Sequence, residues 1–128
     1  MFQVVIKTYQ TWLICGGRDF SDQAMFDDVM SQLIRMRGIP EKIVHGAAKG
    51  ADAMAAAWAK QMAVLAIAVP ADWEAHGNAA GPIRNEEMLM HHKPKCVIAF
   101  PGGAGTADMV KRAKKRNGEI DVIEIRTQ

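Results

Sequence analysis

The stretch from Val97 to Met109 reads VIAFPGGAGTADM. Starting at Cys96, five apolar or aromatic residues make a short buried-strand pattern, Pro101-Gly102-Gly103 turns the chain, and Thr106 opens a helix running towards Asn117. A strand that passes through glycines into a helix start suits an anion. Glycines lack a Cβ, so backbone N–H groups can approach a ligand closely, and the helix start adds unpaired donors and a partial positive charge. The plainer alternative is a tight strand-to-helix turn, with Asp108 in the first helical turn complementing the dipole.

Outward from this stretch, the chain alternates strands and helices. On the N-terminal side, Pro82 suits the first turn of a helix with Glu86 and Glu87 early and His91, His92 and Lys93 late, charges that match its dipole. Trp73 to Gly81, after PADW, reads as a loop of small residues. Val64 to Val69 is apolar throughout, as expected of a strand covered on both faces. Lys42 to His45 is another strand, leading through GAAKGAD into an alanine-rich helix that ends at Met62 and places Met54 and Trp58 in the core. Thr11 to Cys15 is the first strand of the domain. After GGRDF comes a helix with Ser21 as N-cap, Phe20 and Met25 as a hydrophobic staple, and Phe26, Val29, Met30, Leu33 and Ile34 as its apolar stripe; Gly38 and Pro40 stop it. On the C-terminal side, Asn117-Gly118 reads as a C-cap and Asp121 to Ile125 as the last strand. FQVVIK, within residues 1–10, reads as an arm or extra edge strand beside a single domain over 11–128.

A chain of 128 residues, 49% of them hydrophobic, suits one globular domain. A net charge of +2 demands neither a nucleic acid nor a membrane as partner. With no run of eighteen apolar residues and no secretion-signal pattern, a soluble cytoplasmic protein is expected. Cys15 and Cys96 fall at opposite ends of their strands, too far apart for a disulfide if those strands are parallel neighbours. His91 and His92 point about 100° apart on a helix, and His45 and His76 are isolated, so no metal site is expected.

Five strands alternating with four helices indicate an α/β fold, a parallel sheet with helices on both faces, because parallel neighbours need right-handed helical crossovers. In the strand order 3-2-1-4-5, the first and fourth strands flank the point where the order reverses, and ligands bind beyond the strand ends there. GGRDF and PGGAGT leave those two strands, and HGAAKGAD leaves the next one. The candidate site therefore takes in Gly16, Gly17, Arg18 and Asp19 from the first loop, and His45, Gly46, Lys49, Gly50 and Asp52 from the second. Asp72 and Trp73 of PADW join it, with Pro101, Gly102, Gly103, Gly105 and Thr106. Arg18 holds phosphate with its planar fork or makes a surface salt bridge; Lys49 is similar. Asp52 is a helix cap or a ribose-hydroxyl acceptor, and Trp73 stacks on a base or closes the core under its loop. Arg84, near a helix start where a cation opposes the dipole, calls for an anion nearby. The run Lys111 to Arg116 reads as a solvated helix end.

CGGRDF, HGAAKGADAMAAAWA, PADW, AGPIRNEEM and AFPGGAGT together resemble the small bacterial and phage proteins of the YspA-like (DUF2493) group. That group belongs to the SLOG superfamily of Rossmann-like domains, alongside the LOG phosphoribohydrolases and the DNA-processing protein DprA. The resemblance implies a nucleotide-derived ligand, such as an ADP-ribose-like or NAD-derived molecule or a nucleoside monophosphate. It places phosphate at Gly102, Gly103, Gly105 and Thr106, with Arg84 and its neighbour Asn85 beside it, and no further cofactor is required. It also implies a homodimer. LOG enzymes carry PGGxGTxxE, and the glutamate position is Met109 here, so hydrolysis would need a carboxylate from Asp19, Asp52, Asp72 or Glu86, with Arg84 assisting. Binding or sensing is the leading expectation; N-glycosidic hydrolysis and single-stranded nucleic-acid binding as in DprA are the alternatives.

Overall fold

The computed structural model of the protein describes residues 2 and 4–127. Strands β1 (Thr11–Cys15), β2 (Lys42–His45), β3 (Leu65–Ala68), β4 (Cys96–Ala99) and β5 (Asp121–Glu124) form one all-parallel sheet in the order β3-β2-β1-β4-β5. The expected α/β Rossmann-like fold is therefore present, and the order reverses between β1 and β4. Helices α1 (Gln23–Arg37), α2 (Ala51–Met62), α3 (Trp73–His76), α4 (Ala80–His92) and α5 (Ala104–Lys114) connect the strands, with a 3-10 turn at Gly77–Ala79.

Strand alternation builds two cores. Trp12, Ile14, Ile43 and Ile98 project to one face, where Phe26, Met30 and Leu33 of α1 and Ala55 and Trp58 of α2 cover them. Leu13, Val44 and Val97 project to the other, against Met88 and Leu89 of α4 and Met109 and Ala113 of α5. Alanines on α2 bring its backbone close to the sheet, and the Trp58 ring stacks on Trp12 with centroids 6.5 Å apart.

Several local expectations change. Asp22, not Ser21, caps α1, its carboxylate accepting from the Met25 N–H at 3.0 Å. Phe20 packs on Phe100, with ring centroids 5.2 Å apart, while Phe26 and Phe100 approach to 4.8 Å. Gly38 ends α1 at φ +83, as its position suggested. β3 is one edge of the sheet; Ala66 and Ile67 pack against the two opposite cores, but Leu65 at its start is 62% exposed, so the strand is covered on both faces only in part. Trp73 to Gly81 is helical turn and helix start rather than loop, because the Asp72 carboxylate accepts from the Ala75 N–H at 3.0 Å and nucleates α3. α5 begins at Ala104, before Thr106, with Gly103 as N-cap; Asn117 and Gly118, at φ +54 and +82, form the turn before β5 rather than the cap.

Residues 6–8 lie along Ile39, the Ile39 N–H donating to the Ile6 carbonyl at 2.7 Å and the Thr8 N–H to the Ile39 carbonyl at 2.9 Å. Cys96 aligns with Trp12, and Cys15 with Ala99, so the two free thiols are staggered as expected. Among the described residues no helix is long and apolar enough to cross a membrane.

Candidate functional site

A cleft of about 1010 Å³ opens beyond the C-terminal ends of β1 and β4, where the strand order reverses. Its floor is laced together by backbone. The Gly17 N–H donates to the Pro101 carbonyl at 2.9 Å, joining the loops after β1 and β4; the Ala51 N–H donates to the Gly17 carbonyl at 3.2 Å, joining the loop after β2. These approaches need glycine. A Cβ on Gly16 would lie 2.6 Å from the Ala51 Cβ, one on Gly102 2.6 Å from the Gly17 nitrogen, and one on Gly50, already at φ +73, 2.7 Å from the Arg18 carbonyl oxygen. Gly103 and Gly105 differ: a Cβ at either meets nothing within 4 Å.

Most of the anticipated residues come together here. The first loop brings Gly16, Gly17, Arg18 and Asp19 to the cleft, and the second brings Gly46 and Asp52. Trp73, Arg84 and Asn85 form the far wall, and Pro101, Gly102, Gly103, Gly105 and Thr106 the near one. Four do not line it. Gly50 sits behind the floor, Asp72 is spent on capping α3, and His45 and Lys49 lie outside the lining. Glu86 is also spent, pairing with Arg112 at 3.3 Å and with Arg116. The Lys111 to Arg116 run is accordingly partly engaged in ion pairs rather than solvated throughout.

Arg84 is tied into the fold more closely than its place at a helix start suggested. Its Nη1 donates to the Gly46 carbonyl at 2.6 Å and to the Val69 carbonyl at 3.3 Å, bridging the chain ends that leave β2 and β3. Its Nε donates to Asn85 Oδ1 at 3.2 Å, and Asn85 Nδ2 in turn donates to the Gly105 carbonyl at 3.2 Å and to Asp108 Oδ2 at 3.0 Å. Arg112 Nε completes the chain, donating to the same Asp108 oxygen at 2.8 Å. One continuous set of bonds thus runs from the loop after β2 to α5.

Asp108 lines the cleft, whereas Met109 is fully buried between the sheet and α4. From sequence, Asp108 reads as a dipole complement and, pointing about 100° away from position 109, as a poor substitute for a glutamate there; the structure reverses that placement, with Asp108 at the cleft and Met109 in the core. Burial would raise the Asp108 pKa, but hydrogen bonds from Asn85 and Arg112 outweigh it and hold the carboxyl below its ordinary value. Asp52 is the opposite case. It is buried, its pKa raised by that burial although its Oδ2 accepts from the Ala48 N–H at 3.1 Å. His45 is buried with lowered pKa, its Nδ1 accepting from the Ala47 N–H at 3.0 Å, which leaves the ring proton on Nε2. Cys15 and Asn78 also line the cleft and were not anticipated, the first because it reads as strand interior, the second because its segment reads as featureless loop. Burial pushes the Cys15 thiol up to about 12.

At the mouth, the Arg18 guanidinium lies over the Trp73 ring, 5.7 Å from its centroid. Trp73 is therefore not a core residue. It is half exposed.

The sequence model of the YspA, cpYpsA-related SLOG family matches residues 13–76, which carry the first two cleft loops and Trp73. The Gene 61 protein of Mycobacterium phage D29 is 36% identical over 110 residues, covering 80% of this chain and 87% of that protein. No solved structure matches the chain. A family match over half the chain, together with a relative aligned over most of both lengths, shows that this protein belongs to the YspA, cpYpsA-related SLOG family.

Proposed function

We propose that the chain binds a nucleotide-derived ligand, of the nucleoside monophosphate or ADP-ribose kind, with a phosphate at the start of α5. The observation that carries this reading is the contrast among helix starts. α1 and α3 are closed by the Asp22 and Asp72 carboxylates and α2 carries Asp52 in its first turn, whereas α5, like α4, starts with no side-chain cap and no acid in its first turn; α5 differs from α4 in opening through Gly103 and Gly105 at the switch point of the sheet. Its free N–H groups face the cleft, and Gly103 and Gly105 leave the space before them open. Each donor to a charged phosphate contributes about 1.5–3 kcal/mol.

Gly103→Val places a branched side chain in that space. AMP affinity in calorimetry is expected to fall at least tenfold, about 1.4 kcal/mol, with the circular dichroism spectrum unchanged. Unchanged affinity would remove PGGAGT from the site. Cleavage of the base–ribose bond is the second reading, supported by the ionised Asp108 carboxylate on the cleft wall; chromatography of AMP incubated with the protein tests it, and adenine release would establish turnover. In this proposal the protein acts in the cytoplasm as a homodimer, and light scattering at micromolar concentration should read twice its 14.0 kDa mass.

A further inference from the structure

Among the described residues Trp73 is the one large aromatic ring exposed at the cleft, 50% accessible at the start of α3. Beside it Gly81 contributes no side chain; a Cβ there would lie 3.6 Å from Trp73 Cη2, so the ring edge stays open. Over the ring lies Arg18, which forms no ion pair among the described residues. A planar guanidinium without a carboxylate partner stacks on flat π-systems as readily as it holds phosphate.

We propose that Trp73 and Arg18 form the seat of an aromatic heterocycle, the base end of the ligand whose phosphate end lies at α5. The inference rests on the nucleotide reading above and adds the ligand's orientation and chemical class. Contact layers of about 3.5 Å on each side of a base require about 7 Å between guanidinium and indole. The guanidinium carbon lies 5.7 Å from the ring centroid, short of that spacing, and the long Arg18 side chain can move outward to admit a base. Arg18 then belongs to the base rather than to the phosphate. Because every base has a π-face, such a seat senses that a base is present more than which base it is.

The protein carries its own reporter. Of its three tryptophans, Trp12 is 0% and Trp58 7% exposed, leaving Trp73 as the ring a ligand can reach. AMP and ribose 5-phosphate share sugar and phosphate and differ by the base, so both are titrated in parallel by calorimetry and by tryptophan emission. AMP is expected to bind at least fivefold more tightly and to quench emission, whereas ribose 5-phosphate leaves emission unchanged. Trp73→Ala and Arg18→Ala should each erase the advantage of AMP without weakening ribose 5-phosphate; Trp73→Phe, which keeps a ring, should restore most of it and abolish the quench. Equal affinities with unchanged emission would overturn the base seat and leave the phosphate reading intact. Loss of ribose 5-phosphate binding in Arg18→Ala would overturn it too, returning Arg18 to the phosphate. Failure of both compounds to bind would overturn the phosphate reading, and the base seat with it.

Discussion

The segment from Gly102 to Met109 has two faces that do different physical work. Gly102 and Met109 turn inward: a Cβ on the first would meet the backbone of the loop after β1, and the second is fully buried beneath α4. Gly103, Gly105 and Asp108 turn outward to the cleft, and the two glycines have nothing within 4 Å of where a Cβ would be. Residues of one motif are therefore not of one kind. The inward set makes the loops meet, and the outward set leaves room beside free N–H groups.

The strongest test of this division is Met109→Glu. If the site were built around a carboxylate at this position, the substitution would create one facing the ligand; instead it puts an acid among Leu13, Val44 and Met88. A loss of about 3–5 kcal/mol in denaturant unfolding at neutral pH is expected, much of it recovered in acid as the carboxyl protonates. A stable variant that releases adenine from AMP would dissolve the distinction.

Arg84 sharpens it, because this residue lines the cleft and yet holds two backbone carbonyls. Arg84→Ala should cost about 1–3 kcal/mol of stability in the unliganded protein by stranding the Gly46 and Val69 carbonyls. A variant that melts like the native protein while binding poorly would return Arg84 to the ligand alone. Gly102→Ala and Gly103→Val form the next pair: the first should cost about 1–3 kcal/mol through overpacking against Gly17. The second should change unfolding by less than about 1 kcal/mol, the price of a poorer N-cap.

The smallest effect is on pH. Burial lowers the His45 pKa below its ordinary 6.5, so as pH falls the unfolded chain takes up the proton first. This group's contribution to stability is thus flat above 6.5 and declines below it. Proton NMR of the His45 ring should show its midpoint below that value; a midpoint above it would reverse the sign.

The strand order was legible because hydrophobic runs, turn residues and the handedness of crossovers leave few alternatives, and the glycine loops followed from that order. Which side of α5 faces the cleft was not legible. Asp108 and Met109 are neighbours in sequence, and only the packing of α5 against β4, β5 and α4 decides between them. For β3 the edge position follows from the strand order, but its uniformly apolar run gives no sign that Leu65 is left 62% exposed there. Arg84's carbonyl partners lie 38 and 15 residues away along the chain, beyond the reach of any local pattern. The turn at Trp73 escaped notice because a single side chain, Asp72, organises it.

Cys15 brings sulfur to the cleft, yet burial pushes its thiol up to about 12, so it stays protonated near neutral pH. Cys96, likewise raised to about 12, is held out of register with it. Peroxide and alkylating agents act on thiolates, so neither sulfur offers them a foothold and the pair cannot close on itself. The cleft should accordingly keep its shape in the presence of thiol oxidants.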